Sequence, residues 1–299
     1  MITIDKLSKS FGTHYGLRDI TTEIPEGSIY GLVGSNGSGK STLLRLIAGI
    51  YQADRGGVSV NGKPVFEYPE TKVNMFYISD EQYTERSANI AEMVEVYSHI
   101  YPDYDKDMAL KMANQFGLDA KAKFKTFSKG MQRQAHIILG IAAKPRVLLC
   151  DETFDGLDPV KRRAVKQIFS QMVLDYGTTV VIASHNLREL EDICDHIGLL
   201  HGGQLVFQRS LDDLESDIFK LQVAFKMVRR KEDFADMNPV TFEQRGRMIS
   251  MIVRGKREAI NEQIDAMQPL YAEILPLTLE EIFITEMEVL GYDIEDILQ

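Results

Sequence analysis

A glycine-rich stretch near the start of the chain has residue types that bind phosphate. Residues Gly34–Ser41 fit the spacing G-x-x-x-x-G-K-[ST]. The glycines let successive backbone N–H groups face one anion, Lys40 would reach the outer phosphates, and the Ser41 hydroxyl would bind Mg²⁺. The residues predicted to contact a nucleotide here are Gly34, Ser35, Asn36, Gly37, Ser38, Gly39, Lys40, Ser41 and Thr42.

The elements on either side of this loop favour phosphate binding over a turn without a ligand. Ile29–Val33 is an apolar run of strand length. A helix is predicted after the loop because apolar residues recur at three- and four-residue spacing, namely Leu43, Leu44, Leu46, Ile47 and Ile50. The positive N-terminal end of such a helix would point at the bound anion.

Two carboxylates follow a second apolar run. Residues 147–150 are predicted to form a buried parallel strand, and Asp151 and Glu152 come at its carboxyl end, where ligands bind in such sheets. Asp151 would hold Mg²⁺, and Glu152 would orient or deprotonate the attacking water. Helix capping is the alternative role of this pair. His185 follows a third apolar run, residues 178–183, so we expect it at the same sheet edge.

Two further features could contact a nucleotide. Ser128 stands at the predicted start of a helix whose apolar face begins at Met131. Its hydroxyl and the free N–H groups there make an anion site, and a simple helix cap is the alternative. Phe11 precedes a glycine ahead of the phosphate loop, so an adenine ring could stack on it. Core packing is the alternative for Phe11, and Tyr15 competes for the stacking role.

Composition limits the classes of partner. The 299 residues are 44% hydrophobic and carry a net charge of −10, which argues against a nucleic-acid partner. Cys150 and Cys194 form no framework of spacings, so reduced thiols typical of the cytosol are expected. No signal peptide is evident, and no apolar run approaches the ~20 residues of a membrane helix.

The order of the predicted elements indicates an α/β fold with three additions. Strand signals before residue 28 and the hairpin signal Asn61-Gly62 predict an antiparallel β section. Helical patterns predict an inserted helical subdomain over about residues 84–140. Residues 216–299 combine an alternating strand pattern with a capping box at Thr278–Glu281, and they predict a small α+β domain without a catalytic signal.

Taken in order, the motifs of residues 1–215 resemble those of an ATP-binding cassette ATPase, the nucleotide-binding subunit of an ABC transporter. The matching segments are Gly34–Thr42 (Walker A), Val147–Asp151 (Walker B), Glu152 (catalytic glutamate), Phe127–Met131 (signature), Asp155–Asp158 (D-loop) and His185 (switch histidine). The resemblance implies a P-loop (RecA-like) core that hydrolyses ATP with Mg²⁺. It also implies that two subunits close head to tail, and it assigns Ser128, Gly130 and Asp158 to the nucleotide site.

The sequence departs from the family pattern at three places. The signature reads Phe-Ser-Lys-Gly-Met where Leu-Ser-Gly-Gly-Gln is commonest, although Ser128 and Gly130 remain. Thr153-Phe154 replaces the usual Pro-Thr after the glutamate. At the Q-loop, Asp80 takes the position of the glutamine and Gln82 lies two residues on. Either side chain could touch Mg²⁺ or water, and both stay open as candidates.

The resemblance also implies partners and a location. It predicts transmembrane permease subunits, a second ATP-binding subunit of the same or a different kind, and a position at the cytoplasmic face of the cell membrane. The segments Lys129–Met131 and Leu279–Phe283 resemble ATPases of ABC-2-type exporters, which implies export of a peptide, an antimicrobial or a lipid-like compound. A soluble cassette protein acting on ribosomes or DNA is the alternative, and the single cassette and acidic balance disfavour it.

Overall fold

The computed structural model describes residues 1–81, 87–213 and 218–289. The chain divides into two compact units, residues 1–208 and residues 209–299. Each unit has its own cluster of buried apolar side chains. The first unit carries the motifs identified in the sequence, and the second is described separately below.

Strands and helices alternate through the first unit, and strands predominate in the second. The strands are β1 (Ile2–Phe11), β2 (His14–Ile24), β3 (Ile29–Val33), β4 (Arg55–Val60), β5 (Lys63–Pro64), β6 (Met75–Ile78), β7 (Val147–Asp151), β8 (Thr179–Ser184), β9 (His196–His201), β10 (Gln204–Ser210), β11 (Ile218–Ala224), β12 (Thr241–Arg245), β13 (Met248–Arg254) and β14 (Tyr271–Leu275). The helices are α1 (Lys40–Ile47), α2 (Pro69–Lys72), α3 (Ile90–Ile100), α4 (Lys106–Gln115), α5 (Lys129–Ala142), α6 (Pro159–Tyr176), α7 (Leu187–Leu190), α8 (Arg257–Ala266) and α9 (Leu279–Val289).

A six-stranded sheet of order β10–β9–β3–β8–β7–β6 supports the phosphate loop. Strands β3, β7 and β8 are buried along their whole length, as expected of parallel strands covered on both faces. Their parallel registers pair Val33 with Ser184 and Asp151 with Ala183. The carboxyl ends of the three strands therefore lie side by side, and the residues that follow them meet at one edge.

An antiparallel sheet of order β2–β1–β4–β5 packs on α1. Strand β1 has register shifts on both sides of Leu7, and Lys6 has a φ of 45°. Its buried side chains share one core with the apolar face of α1, which includes Leu44 and Ile47. This core fixes the helix that begins at the phosphate loop.

Helices α3, α4 and α5 pack against one another in a group inserted between β6 and β7. Helix α3 begins at Ile90 because Asn89 caps it: the Glu92 N–H donates to the Asn89 side chain at 2.9 Å, and the Asn89 N–H donates to the Glu92 carboxylate. Helix α5 is buried from Gln134 to its end, so it forms the centre of the group.

The second unit contains an antiparallel sheet of order β12–β13–β11–β14, with α8 packed on its apolar face. The capping box predicted at the start of α9 is confirmed: the Glu281 N–H donates to the Thr278 hydroxyl at 3.2 Å, and the Thr278 N–H donates to the Glu281 carboxylate at 3.0 Å. Leu290, predicted on the apolar face of this helix, lies outside the described residues. Within the described ranges, no helix is long and apolar enough to cross a bilayer.

Candidate nucleotide site

The loop between β3 and α1 has a backbone that requires glycine at several positions. Gly37 and Gly39 have φ values of 80° and 109°, in the left-handed region that other residues avoid. Gly34 adopts an ordinary φ, but a Cβ there would collide with the Leu200 carbonyl and the Ser38 side chain. The loop therefore curls back on itself before α1 begins, with backbone N–H groups at the helix start left for an anion.

The Lys40 ammonium is buried under this loop. Its side chain is 5% exposed, and Nζ donates to the carbonyl oxygens of Gly34 at 2.8 Å and Ser35 at 3.2 Å. The same atom lies 3.5 Å from Oε1 of Glu152. A buried cation held by carbonyl oxygens and one carboxylate can exchange these partners for phosphate oxygens when a nucleotide binds.

Asp151 and Ser41 supply the oxygen ligands that Mg²⁺ prefers. The Ser41 hydroxyl donates to Oδ1 of Asp151 at 2.9 Å, and the Tyr77 hydroxyl donates to Oδ2 at 2.9 Å. Asp151 is fully buried, and this burial raises the pKa of its carboxyl against the opposing effect of the two hydrogen bonds. A hydroxyl and a carboxylate in contact fit Mg²⁺ coordination. The sequence analysis did not identify Tyr77, which lies in the continuous apolar run of β6 and so suggests only core packing.

Glu152 and His185 meet at the edge of the parallel sheet, as their positions after β7 and β8 predict. Oε2 of Glu152 and Nδ1 of His185 are 2.9 Å apart. One carboxylate oxygen thus faces the imidazole and the other faces the Lys40 ammonium. Asp155 is nearby: one ligand atom from each of Glu152, Asp155 and His185 lies within 4.8 Å of the others. This arrangement places a partly buried carboxylate beside the phosphate loop.

Asp80, a candidate for the Q-loop position, accepts hydrogen bonds from an arginine that the sequence analysis missed. Nη2 of Arg133, on α5, donates to Oδ1 of Asp80 at 2.9 Å and to the Asp80 carbonyl oxygen at 3.1 Å. Nη1 of Arg133 donates to the Glu152 carbonyl oxygen. The competing candidate, Gln82, lies outside the described residues.

Ser128 and Asp158 cap helices within the subunit. The Met131 N–H donates to the Ser128 hydroxyl at 3.2 Å at the start of α5, and the Lys161 N–H donates to Asp158 at 3.0 Å at the start of α6. Gly130 packs against the turn before α6, where a Cβ would lie 2.8 Å from the Gly156 carbonyl oxygen. The contacts of Ser128, Gly130 and Asp158 with a nucleotide remain predictions.

Phe11 lies at the end of β1 with 45% of its surface exposed. The alternative of core packing is therefore wrong for this ring. Its edge contacts Tyr51, with ring centroids 5.5 Å apart, and Lys9 lies 5.7 Å from its centroid. Tyr15 is 60% exposed and stacks with Arg18, whose Cζ is 4.4 Å from the ring centroid. Stacking of adenine on Phe11 remains a prediction.

Comparison with known proteins identifies relatives of the whole chain. The ABC transporter family model matches residues 17–155. The chain is 31% identical to the ABC transporter ATP-binding protein YtrB of Bacillus subtilis over 286 residues, which cover 96% of this chain and 98% of YtrB. It is 31% identical to the methionine import ATP-binding protein MetN of Protochlamydia amoebophila over 223 residues, 69% of this chain and 65% of MetN.

A further relative and a solved structure agree with this match. The lantibiotic transport ATP-binding protein SrtF of Streptococcus pyogenes is 28% identical over 233 residues, 77% of this chain and all of SrtF. A solved ATP-binding subunit of an ABC transporter superposes with a TM-score of 0.67 at 25% identity, over 72% of this chain and 92% of that one. The predicted α/β P-loop fold is therefore confirmed. The motifs, the fold and the full-length match to YtrB show that this chain belongs to the ATP-binding proteins of ABC transporters.

Proposed function

We propose that this ABC ATPase uses Glu152 as the base for ATP hydrolysis and powers export through separate transmembrane subunits. The observation that carries the proposal is the position of the Glu152 carboxylate, 3.5 Å from Lys40 and 2.9 Å from His185. A base in this position can accept a proton from a water molecule that attacks the outer phosphate. The imidazole of His185 holds the carboxylate in place and can donate a hydrogen bond to the same phosphate.

The chain's own residues divide the remaining tasks of the reaction. The backbone N–H groups from Ser35 to Ser41 and the Lys40 ammonium would bind the phosphates. Ser41 and Asp151 would hold Mg²⁺, which when bound neutralises charge on the phosphate oxygens. Asp80 is a further candidate ligand, and Phe11 would support the adenine ring. Most of the proposed rate enhancement comes from positioning and electrostatics, since phosphoryl transfer needs little covalent help from the protein.

ATP would act by favouring a closed pair of subunits. The family works as dimers with transmembrane subunits, and we propose that Ser128, Gly130 and Asp158 of one subunit contact the ATP bound by the other. A ligand shifts an equilibrium only by binding one state better than another, and such shared contacts exist only in the closed pair. Hydrolysis would remove this preference for the closed state, and the pair of subunits would open again. The subunit would reach the cytoplasmic face of the membrane through its transmembrane partners.

The proposed direction of transport depends on two segments outside the Walker motifs, one in each unit of the chain. The cassette alone does not distinguish direction, because MetN is named for methionine import and SrtF for lantibiotic transport. The resemblance of Lys129–Met131 and Leu279–Phe283 to ABC-2-type exporter ATPases favours export. We propose a peptide, an antimicrobial or a lipid-like compound as the substrate class.

Paired variants test the hydrolytic role. Glu152→Gln should lower the ATPase rate about 100-fold or more with ATP affinity retained, because only proton acceptance is lost. Lys40→Ala should abolish tight ATP binding, since the buried ammonium is removed from the phosphate loop. Glu26→Gln is the matched control, because this exposed carboxylate pairs with the N-terminal ammonium away from the site. Normal hydrolysis by the Glu152→Gln protein would reject the proposed role of Glu152.

Reconstitution tests the transport role. The purified chain would be combined in vesicles with multi-span membrane proteins encoded beside it, and the ATPase rate measured with candidate peptides and lipid-like compounds. We expect one compound to stimulate the ATPase rate. The same compound should move, in an ATP-dependent way, away from the side of the membrane that carries the ATP-binding subunit. Movement in the opposite direction would reject export. Stimulation by ribosomes or DNA in place of membrane subunits would support the soluble alternative.

A further inference from the structure

Arg133 connects three separate segments of the chain around the candidate site. It lies in the second turn of α5, in the inserted helical group. One nitrogen donates to the Glu152 carbonyl oxygen after β7, and the other contacts the carbonyl and carboxylate oxygens of Asp80 after β6. The Arg133 side chain is 13% exposed and the Asp80 side chain 50%, so the contact with Glu152 is the more buried of the two. Contacts of this kind are charge-assisted and stronger than neutral hydrogen bonds.

The backbone of Glu152 needs an external partner because it departs from strand geometry. Its φ is 46°, in the left-handed region, which is strained for a residue with a side chain. The Glu152 N–H still donates to the Ala183 carbonyl oxygen at 3.0 Å, in continuation of the sheet. The Glu152 carbonyl instead turns toward α5, where it accepts from the Arg133 guanidinium and from the Asp155 N–H at 3.3 Å. These contacts hold the peptide groups on both sides of the Glu152 side chain.

We propose that Arg133 is a positioning residue for ATP hydrolysis, which holds the Glu152 backbone so that its carboxylate lies between Lys40 and His185. This inference rests on the proposed role of Glu152 as the base. Without Arg133 the Glu152 carbonyl loses its charged donor and keeps only the Asp155 N–H at 3.3 Å, so the residue can relax to an ordinary strand conformation that turns the carboxylate away. Displacement of a reacting group by about 1 Å can cost on the order of 100-fold in rate.

Asp80 completes the arrangement by orienting the guanidinium. Its carboxylate fixes one side of the planar fork, so that the other side faces Glu152. A lysine cannot reproduce this geometry. The arginine guanidinium is a rigid planar group with donors on separate nitrogens, whereas lysine has a single ammonium. The Asp80–Arg133 pair therefore also links the position of α5 to the position of the base.

Steady-state kinetics of Arg133→Met in the full-length chain test the inference. We expect kcat to fall at least about tenfold while KM for ATP changes less than about twofold, because the phosphate loop is untouched. Asp80→Asn keeps an oxygen acceptor but loses the charge, so it should lower kcat by a smaller factor. The double variant should be no worse than Arg133→Met alone, because in this arrangement Asp80 acts through Arg133, and a further fall in kcat would reject that role of Asp80. Arg133→Lys should recover little of the lost kcat.

Arg146→Met is the matched control. Arg146 also donates to a backbone carbonyl, that of Tyr176 at 3.2 Å, but lies away from the site. We expect this variant to keep its kcat, with melting temperatures measured for every protein. If Arg133→Met does not fold, Arg133→Lys decides, and a kcat fall of at least about threefold at constant KM is then required.

The Arg133 and Glu152 variants distinguish the positioning role of Arg133 from the role of Glu152 as the base. A kcat for Arg133→Met equal to that of Arg146→Met would reject the positioning role, as would a raised KM with unchanged kcat. Normal hydrolysis by Glu152→Gln would reject the base itself. A slow Glu152→Gln protein together with a normal Arg133→Met protein rejects the positioning role alone.

Discussion

Single residues of the candidate site carry buried charges held by protein oxygens and hydroxyls. Asp151 is fully buried and accepts hydrogen bonds from Ser41 and Tyr77, yet burial still raises the pKa of its carboxyl. The buried Lys40 ammonium likewise contacts carbonyl oxygens where a phosphate would bind more strongly. Burial of such groups lowers the stability of the folded chain, which is a common cost of function.

Asp151→Asn should make the nucleotide-free protein more stable at pH 7 while abolishing Mg²⁺-dependent hydrolysis. The raised pKa means that, between the ordinary value of 3.8 and the folded value, the folded chain binds more protons than the unfolded chain. Wild-type stability therefore falls as the pH rises through this window. The variant lacks this loss, so its gain in stability at pH 7 should shrink as the pH falls toward the ordinary value of 3.8.

Thermal unfolding with EDTA between pH 4 and pH 7 measures this difference. Glu26→Gln is the control, because it neutralises an exposed carboxylate in place of a buried one. A lower melting temperature of the variant at pH 7 would contradict the prediction.

At the scale of elements, the start of α5 and the turn before α6 are in close contact. A Cβ at Gly130 would lie 2.8 Å from the Gly156 carbonyl oxygen, which is a backbone atom that cannot rotate away. Gly130→Ala should therefore push the signature segment off this turn. We expect a fall in ATPase rate of about tenfold with unchanged ATP affinity of the single subunit, because the phosphate loop of the same subunit belongs to a different element.

A nucleotide titration and an ATPase assay on the same sample distinguish these effects. Gly57→Ala in β4 is the matched control, because a Cβ there meets no atom within 4 Å. Equal rates for the two alanine variants would show that the close contact does not matter for turnover.

Helix α9 of the second unit depends on its capping box. Thr278→Ala removes the hydroxyl that accepts from the Glu281 N–H, and it should cost about 1 kcal/mol of stability in this unit. Thr278→Ser keeps the hydroxyl and should retain most of that stability. Urea unfolding followed by helical circular dichroism measures both variants, and identical midpoints for alanine and serine would contradict the prediction.

At the scale of the whole molecule, the proposed mechanism requires two copies around each nucleotide. The Glu152→Gln protein should bind ATP without consuming it, and so should accumulate as a dimer of twice the monomer mass. The wild-type protein should return to monomers as ATP is spent. Light scattering with and without Mg²⁺ and ATP measures this change. A variant that stays monomeric at saturating ATP, even with its membrane subunits present, would contradict the dimer mechanism.

The sequence by itself determined the features that depend on near neighbours in the chain. The phosphate loop, the buried strand before Asp151 and the capping box at Thr278 are all local patterns, and the structure has each of these elements where the pattern predicts it. Parallel strands also place the ends of β7 and β8 together, so the meeting of Glu152 and His185 followed from the fold class.

Only the tertiary structure decided which distant side chains contact these motifs. Arg133 and Asp80 are 53 residues apart, and Tyr77 and Asp151 are 74 apart. Their contacts depend on strand order and on the packing of α5, which no local pattern specifies. The left-handed backbone of Glu152 is likewise unexpected for its residue type, because that conformation is stable only with the partners that the folded chain provides.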